Sequence, residues 1–284
     1  MFKIKVPATS ANLGPGFDVM GLAIDRYNTF NFKIGETFPE DNLIYKSYRS
    51  VFEYLNKDMI AVEITVDEDV PRARGLGSSA TCIVGGIMGA NEILENPLNK
   101  EEILKLASKI EGHPDNVAPA IYGGLVASVV EGNKIHTGNI PIKNDLIFIA
   151  LVPNFELSTS QAREVLPKEI PHDLGVYNVG RASMLISGLI RGDNSLLKIG
   201  LADKLHQPYR GKLIEGFDDI ISKSYDSGSL GCYLSGAGPT IMCIGEEGDS
   251  QLIDKIQKFM DKEYENWKVF VHKIDETGAI VIER

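Results

Sequence analysis

Apolar and polar residues alternate from the first positions of the chain. Phe2, Ile4 and Val6 share one parity and Lys3 and Lys5 the other, which predicts a strand with one buried face. Comparable runs predict strands over 21–24, 29–34, 61–66, 125–130, 134–137, 146–152, 231–234, 241–244, 267–273 and 279–282. Between them the period lengthens to that of a helix. Helices are predicted from Asp41, as N-cap, to about Asn56, and from Ser78 to about Glu95, the latter rich in small residues (Ala80, Gly85, Gly86, Gly89, Ala90). Over 99–112, Asn99 caps, Glu101 and Glu102 fill the first turn, and Ile103, Leu106 and Ile110 recur on one face. Further helices are expected at 158–167, 174–191, 196–204 and 249–263. Helices and strands are interleaved throughout, with no repeat or low-complexity segment. A soft boundary near 150 divides the chain into 1–150 and 151–284, and the absence of a Gly/Ser linker there implies two halves that pack closely.

The 284 residues suffice for one large domain or two smaller ones, with a net charge of −10. That charge argues against a broad nucleic-acid surface or a polybasic membrane patch, and leaves local anion sites open. No apolar run approaches the roughly 20 residues of a membrane span, and the alternating start has no signal-peptide core. Cys82, Cys232 and Cys243 are widely spaced, read as core residues, and suggest a reducing, cytoplasmic setting.

The candidate chemistry centres on Pro71-Arg72-Ala73-Arg74-Gly75-Leu76-Gly77-Ser78-Ser79-Ala80-Thr81-Cys82, a glycine-rich turn opening directly into a helix. Unpartnered N–H groups and the helix dipole favour an anion there. Gly75 and Gly77 would let the backbone approach a ligand, and Ser78 and Ser79 could bind phosphate or Mg²⁺. Three readings fit: a capped small-residue helix packed on a sheet, a dinucleotide turn (Gly75-x-Gly77-x-x-Ala80), and a nucleoside triphosphate site. For the second, eight residues, Asp67 to Arg74, separate strand from glycines, too many for a tight strand-to-helix turn. For the third, no Gly-Lys-Ser/Thr follows, so the loop is not a Walker P-loop.

Other polar clusters interrupt the apolar pattern. In the turn-rich stretch 7–18, Asn12 and Asp18 either satisfy their own loop or present an amide and a carboxylate to a small ligand, the carboxylate suiting an ammonium group. Glu111, His113, Asp115 and Asn116 either end a helix or place Glu111 as a Mg²⁺ ligand. Arg163 and Arg210 are each a surface charge or a two-pronged partner for a carboxylate. The Gly-rich turn 235–240 is an ordinary hairpin or a backbone closing on a ligand.

Together these stretches resemble the homoserine kinases of the GHMP small-molecule kinase superfamily, over nearly the whole chain. Pro7-Ala8-Thr9-Ser10-Ala11-Asn12-Leu13-Gly14-Pro15-Gly16-Phe17-Asp18 is similar to their first motif, residues 71–80 to their phosphate loop and Leu234-Ser235-Gly236-Ala237-Gly238-Pro239 to their third motif. His113-Pro114-Asp115-Asn116 and His206-Gln207-Pro208-Tyr209-Arg210 point to the homoserine-specific group. The resemblance implies an α+β, two-domain GHMP kinase fold. Its N-terminal domain would hold a left-handed βαβ unit, its C-terminal domain would be ferredoxin-like, and the active site would lie between them. It implies ATP-dependent phosphorylation of the side-chain hydroxyl of L-homoserine, on the route to threonine.

By the same resemblance, residues 71–82 wrap ATP, Asn42 lies near the adenine, and Ser79 and Glu111 hold Mg²⁺. Asn12, Asp18, Arg163 and Arg210 hold the amino acid. Asn116 orients the acceptor hydroxyl, with Asp115 the alternative, a general base. Residues 7–18 contain no lysine, so the Asp–Lys pair of relatives such as mevalonate kinase is not available. The rivals are a superfamily kinase for a sugar, mevalonate or shikimate, a non-catalytic sensor on the same fold, and an NAD-dependent dehydrogenase. The partners implied are ATP and L-homoserine, with no nucleic acid or membrane, and a homodimer is left open.

Overall fold

A computed structural model describes residues 1–36 and 42–283 of the chain. The first half is built on β1 (Phe2–Ala11), β2 (Met20–Ile34), α1 (Leu43–Leu55), β3 (Val62–Asp67), α2 (Ser78–Ile93), α3 (Lys100–Glu111), α4 (Pro114–Tyr122), β4 (Leu125–Glu131) and β5 (Lys134–Ile140). The second half holds β6 (Leu146–Pro153), α5 (Thr159–Glu164), α6 (His172–Arg191), α7 (Ser195–Gly200), α8 (Gln207–Arg210), α9 (Phe217–Ser227), β7 (Gly231–Leu234), β8 (Ile241–Glu246), α10 (Ser250–Glu263) and β9 (Trp267–His272). The chain then returns to the first half as β10 (Ile280–Glu283).

Two antiparallel sheets result. The first runs β10-β1-β2-β4-β5, with β3 also on β2, and α1 to α4 cover it over a core that includes Phe30, Phe32, Tyr48, Ile87 and Val117. The second runs β7-β8-β6-β9, which is the 4-1-3-2 order of a ferredoxin-like sheet. Strand β6 is buried along its whole length because both faces are used. Leu146, Phe148, Ala150 and Val152 point into a core shared with Leu13, Leu22 and Ile24 of the first half, whereas Ile147, Ile149 and Leu151 point to the core under α9 and α10. One apolar junction thus joins the halves.

Several elements differ from expectation. Residues 7–11, read as loop, continue β1: the ladder slips between Pro7 and Ala8, so a residue without an N–H sits at a bulge and pairing resumes. The runs 21–24 and 29–34 are one long strand, β2. Asp41 lies outside the described residues; Asn42 caps α1, its side chain accepting the Tyr45 N–H. The polar cluster from Glu111 to Ala120 does end α3, as one of its two readings expects, but residues 114–122 go on to form a further helix, α4, whose Pro114 stands in the first turn where no donor is needed. Helix α9 went unread although Gly216 and Gly228 bracket it, both in left-handed conformation.

Candidate active site

The glycine-rich turn is fastened to the rest of the chain before it reaches any ligand. Thr9 N–H donates to Leu76 O at 3.2 Å, Leu157 N–H to Ala73 O at 3.2 Å, and the Ser235 hydroxyl to Gly75 O at 2.6 Å. Arg74 donates to the Pro153 and Asn154 carbonyls. The glycines serve this closeness. A Cβ on Gly75 would lie 2.3 Å from Ser235 O, and one on Gly77 would lie 1.9 Å from Thr9 Oγ1. Both have positive φ, 73° and 68°. Contact with the protein's own first strand and third motif therefore requires both glycines, which also line the adjoining cleft. Gly77 is the N-cap of α2 and offers no side chain, so the N–H groups of the first turn face the adjoining cleft uncapped.

Ser79 Oγ donates to Glu111 Oε2 at 2.8 Å, joining the start of α2 to the end of α3. Burial raises the Glu111 pKa, and the Ser79 bond opposes that rise. Among the described residues no group of three or more His, Cys, Asp or Glu side chains converges on a metal site. One carboxylate and one hydroxyl nevertheless suit Mg²⁺, which takes a few protein oxygens and completes its shell with phosphate and water.

Helix α4 approaches β2 closely: a Cβ on Gly21 would lie 1.7 Å from Asp115 O. This places Asp115 and Asn116, in the first turn, beside the glycine turn. Thr9 Oγ1 donates to Asn116 Oδ1 at 2.9 Å, and Asn116 Nδ2 to Asp115 Oδ1 at 3.3 Å. Asp115 is nearly enclosed; burial first, then the charges of Asp18 and Glu111, push its carboxyl up to about 7.

The four residues assigned to the amino acid come together, in a different arrangement from the one expected. Asp18 and Arg163 bond to each other through two parallel contacts of 2.7 and 3.1 Å. Asn12 is committed internally, accepting the Asp18 N–H at 3.0 Å and donating to Gly236 O at 2.7 Å. Arg210 is 1 % exposed, donates to Ala162 O and Gly236 O, and lies over the Phe17 ring. Burial lowers its pKa to about 10, so it stays charged at neutral pH. His206, preceding α8, stacks on Phe17, and its Nε2 lies 2.8 Å from Gly14 O.

Two small clefts share a wall. One, of about 100 Å³, is lined by Ala73, Arg74, Gly75, Gly77, Ser78 and Ser79 together with Leu157 and Gly238. The other, of about 60 Å³, is lined by Asn12, Asp18, His113, Asp115, Arg163 and Arg210. Glu111, Asn116, Thr159, Gly236 and Ala237 face both. A larger cavity of about 780 Å³ lies apart, beside α7, α8 and α9. We take the small clefts as the site because the polar groups converge there.

Six residues of the proposed ATP segment stay outside the clefts. Leu76, Ala80 and Thr81 are buried, and the Thr81 hydroxyl donates to Ser78 O and accepts from Asn28. Arg72 pairs with Glu68, Pro71 is half-buried, and burial raises the Cys82 thiol pKa. Asn42 has its carboxamide oxygen engaged in capping. Thr9 and Ala237 lie in the first and third motifs without being singled out within them, and Thr159, next to the cap Ser158, carries no signal of its own.

Comparison with known proteins identifies the family. Residues 42–124 match the family model for the GHMP kinases N terminal domain, and 185–264 that for the GHMP kinases C terminal. A homoserine kinase of Clostridium beijerinckii is 46% identical, covering 100% of this chain and 99% of its own length. A crystal structure of homoserine kinase from Cytophaga hutchinsonii superposes with a TM-score of 0.89 at 30% identity, over 99% of this chain and 97% of that one. A mevalonate kinase of Methanococcus jannaschii shares the fold, with a TM-score of 0.71 at 16% identity over 96% and 98% of the two chains. The chain belongs to the homoserine kinases, within the two-domain GHMP kinase fold.

Proposed function

We propose that this protein transfers the γ-phosphoryl group of ATP to the side-chain hydroxyl of L-homoserine, giving ADP and O-phospho-L-homoserine. The observation that carries the reading is the shared wall of the two clefts. On one side uncapped helix N–H groups and the Ser79–Glu111 pair suit polyphosphate and its cation. On the other, Asp18, Arg163 and Arg210 offer the two signs of charge that a zwitterionic amino acid needs. Mevalonate has no ammonium group for Asp18 to meet.

In this account Ser79 and Glu111 would hold Mg²⁺, which would supply charge neutralisation at the phosphate oxygens. The N–H groups of Ser78 and Ser79 stabilise the transferred group, and Ala73, Arg74, Gly75 and Gly77 enclose it. Asp18 takes the ammonium group. Arg163 and Arg210 take the carboxylate, so substrate replaces the Asp18–Arg163 pair with equivalent charged contacts. Asn116 then holds the hydroxyl in line: the substrate oxygen bonds to phosphorus, the bond to ADP breaks, and the hydroxyl proton passes to an oxygen of the transferred phosphoryl group and from there to solvent water. Phosphoryl transfer asks mainly for positioning and charge stabilisation, so no strong base is required. The raised pKa of Asp115 supports a second reading, in which Asp115 accepts that proton.

A coupled ADP-release assay tests the proposal with L-homoserine, D-homoserine, L-serine, L-threonine, mevalonate and galactose. Turnover is expected with L-homoserine. Arg210→Ala is expected to raise its KM roughly tenfold to a hundredfold, the value of one charge-assisted hydrogen bond. Turnover with mevalonate or galactose instead would overturn the substrate, and ATP binding with no turnover on any acceptor would favour the sensor.

A further inference from the structure

Thr9 has no part in the scheme above, yet it touches both halves of it. It lies in β1, fully buried, and its main chain bonds to the glycine turn through Leu76 O. Its Oγ1 sits so close to Gly77 that a Cβ there would come within 1.9 Å of it. The same hydroxyl donates to Asn116 Oδ1 at 2.9 Å. One side chain therefore contacts the N-cap of the phosphate-facing helix and the carboxamide that faces both clefts.

We infer that Thr9 is a positioning residue for phosphoryl transfer, whose hydroxyl sets the flip and angle of the Asn116 carboxamide relative to the start of α2. The inference rests on the orienting role proposed for Asn116. A carboxamide has a donor end and an acceptor end, and rotating it by half a turn exchanges them. Thr9 fixes the oxygen end. Asp115 holds the nitrogen end through a longer contact of 3.3 Å. One N–H and one oxygen lone pair remain for the acceptor hydroxyl. Without the Thr9 donor, the terminal torsion of Asn116, broad by nature, is held by the Asp115 contact alone. Because Thr9 is also against Gly77, a shift of Asn116 is a shift relative to the transferred phosphoryl group. An error of about 1 Å in such a geometry lowers rate by roughly a hundredfold.

The test is a set of kinetic constants for wild type, Thr9→Val, Thr9→Ser, Asn116→Ala and the Thr9→Val/Asn116→Ala double variant, with Mg²⁺-ATP and L-homoserine. Thr9→Val keeps the β-branched shape and removes the donor; Thr9→Ala replaces it should the second methyl crowd Gly77. The expected result is a fall in kcat of roughly 10- to 100-fold, with both KM values changed less than about threefold, at a melting temperature close to wild type. Thr9→Ser is expected to restore most of the rate. In the Asn116→Ala background, Thr9→Val is expected to add less than about a twofold loss, since its effect passes through Asn116. A Thr9→Val enzyme with wild-type kcat overturns the inference while leaving Asn116 in its role. Equal losses in both backgrounds overturn it in favour of a purely structural contribution. An Asn116→Ala enzyme at full rate overturns both the role of Asn116 and the inference built on it.

Discussion

Asp115 shows how little of a residue's character is written in its identity. In sequence it is one carboxylate in a run of polar residues. In the fold it is enclosed by α4 and β2 beside two other acids, and its carboxyl ionises only near pH 7. The unfolded chain has the ordinary low carboxylate pKa, so the folded state binds the extra proton. Stability from this group is complete below the unfolded value and declines as pH rises through about 7. Asp115→Asn removes that penalty. Its melting temperature is expected to exceed wild type above pH 7, with the difference closing as pH falls toward 4. If Asn116 orients a direct attack, the same variant keeps kcat within about tenfold of wild type, as expected where no base is needed. A loss of several orders of magnitude at unchanged KM would establish Asp115 as the base. The residues proposed to hold the zwitterion could be named from the sequence, Asp18 from its chemistry and Arg163 and Arg210 only through the family motifs, but their pairing could not. Nothing in the order of residues says that Asp18 and Arg163, so far apart in the chain, bond to each other.

Elements were legible where one physical cause set them. The capping box of α3, Asn99 with Glu102, and the doubly buried run of β6 each announce themselves by local chemistry or by period. They failed to show where tertiary contact overrode local preference. Pro7 and the small residues after it look like loop formers, and only pairing with β2 makes them strand. The short α4, with Pro119 inside it, is held by close packing on Gly21. The glycine turn is the sharpest instance: its glycines line the cleft, and the sequence did not show that they also make room for Ser235 and Thr9. Gly75→Ala should therefore be destabilising well beyond the roughly 1–2 kcal/mol of left-handed backbone strain. Gly112→Ala, at φ 94° with nothing within 4 Å of a new Cβ, should lose only that strain. Thermal unfolding of the two variants measures the contrast, and equal losses would mean that the contact with the third motif is unimportant.

At the scale of the whole molecule the site is a seam. The first half contributes the helix N-terminus, Glu111, Asn116 and Asp18; the second contributes Arg163, Arg210 and the turn at Gly236. The shared core around β6 and the return of β10 to the first sheet hold these parts in register. Composition bounded the choice, arguing against a broad basic surface, but the seam itself could be read only through motifs carried by the family. Among the described residues no helix is long and apolar enough to cross a membrane.

The central claim is that one wall, with Asn116 in it, brings a polyphosphate and a zwitterion together. A crystal structure with L-homoserine, Mg²⁺ and a non-hydrolysable ATP analogue tests it most directly. The account predicts the substrate hydroxyl at hydrogen-bond distance from Asn116, the ammonium on Asp18, the carboxylate on Arg163 and Arg210, and the terminal phosphate at the start of α2. Homoserine bound away from Asn116, or bound with the Asp18–Arg163 pair intact, would contradict it.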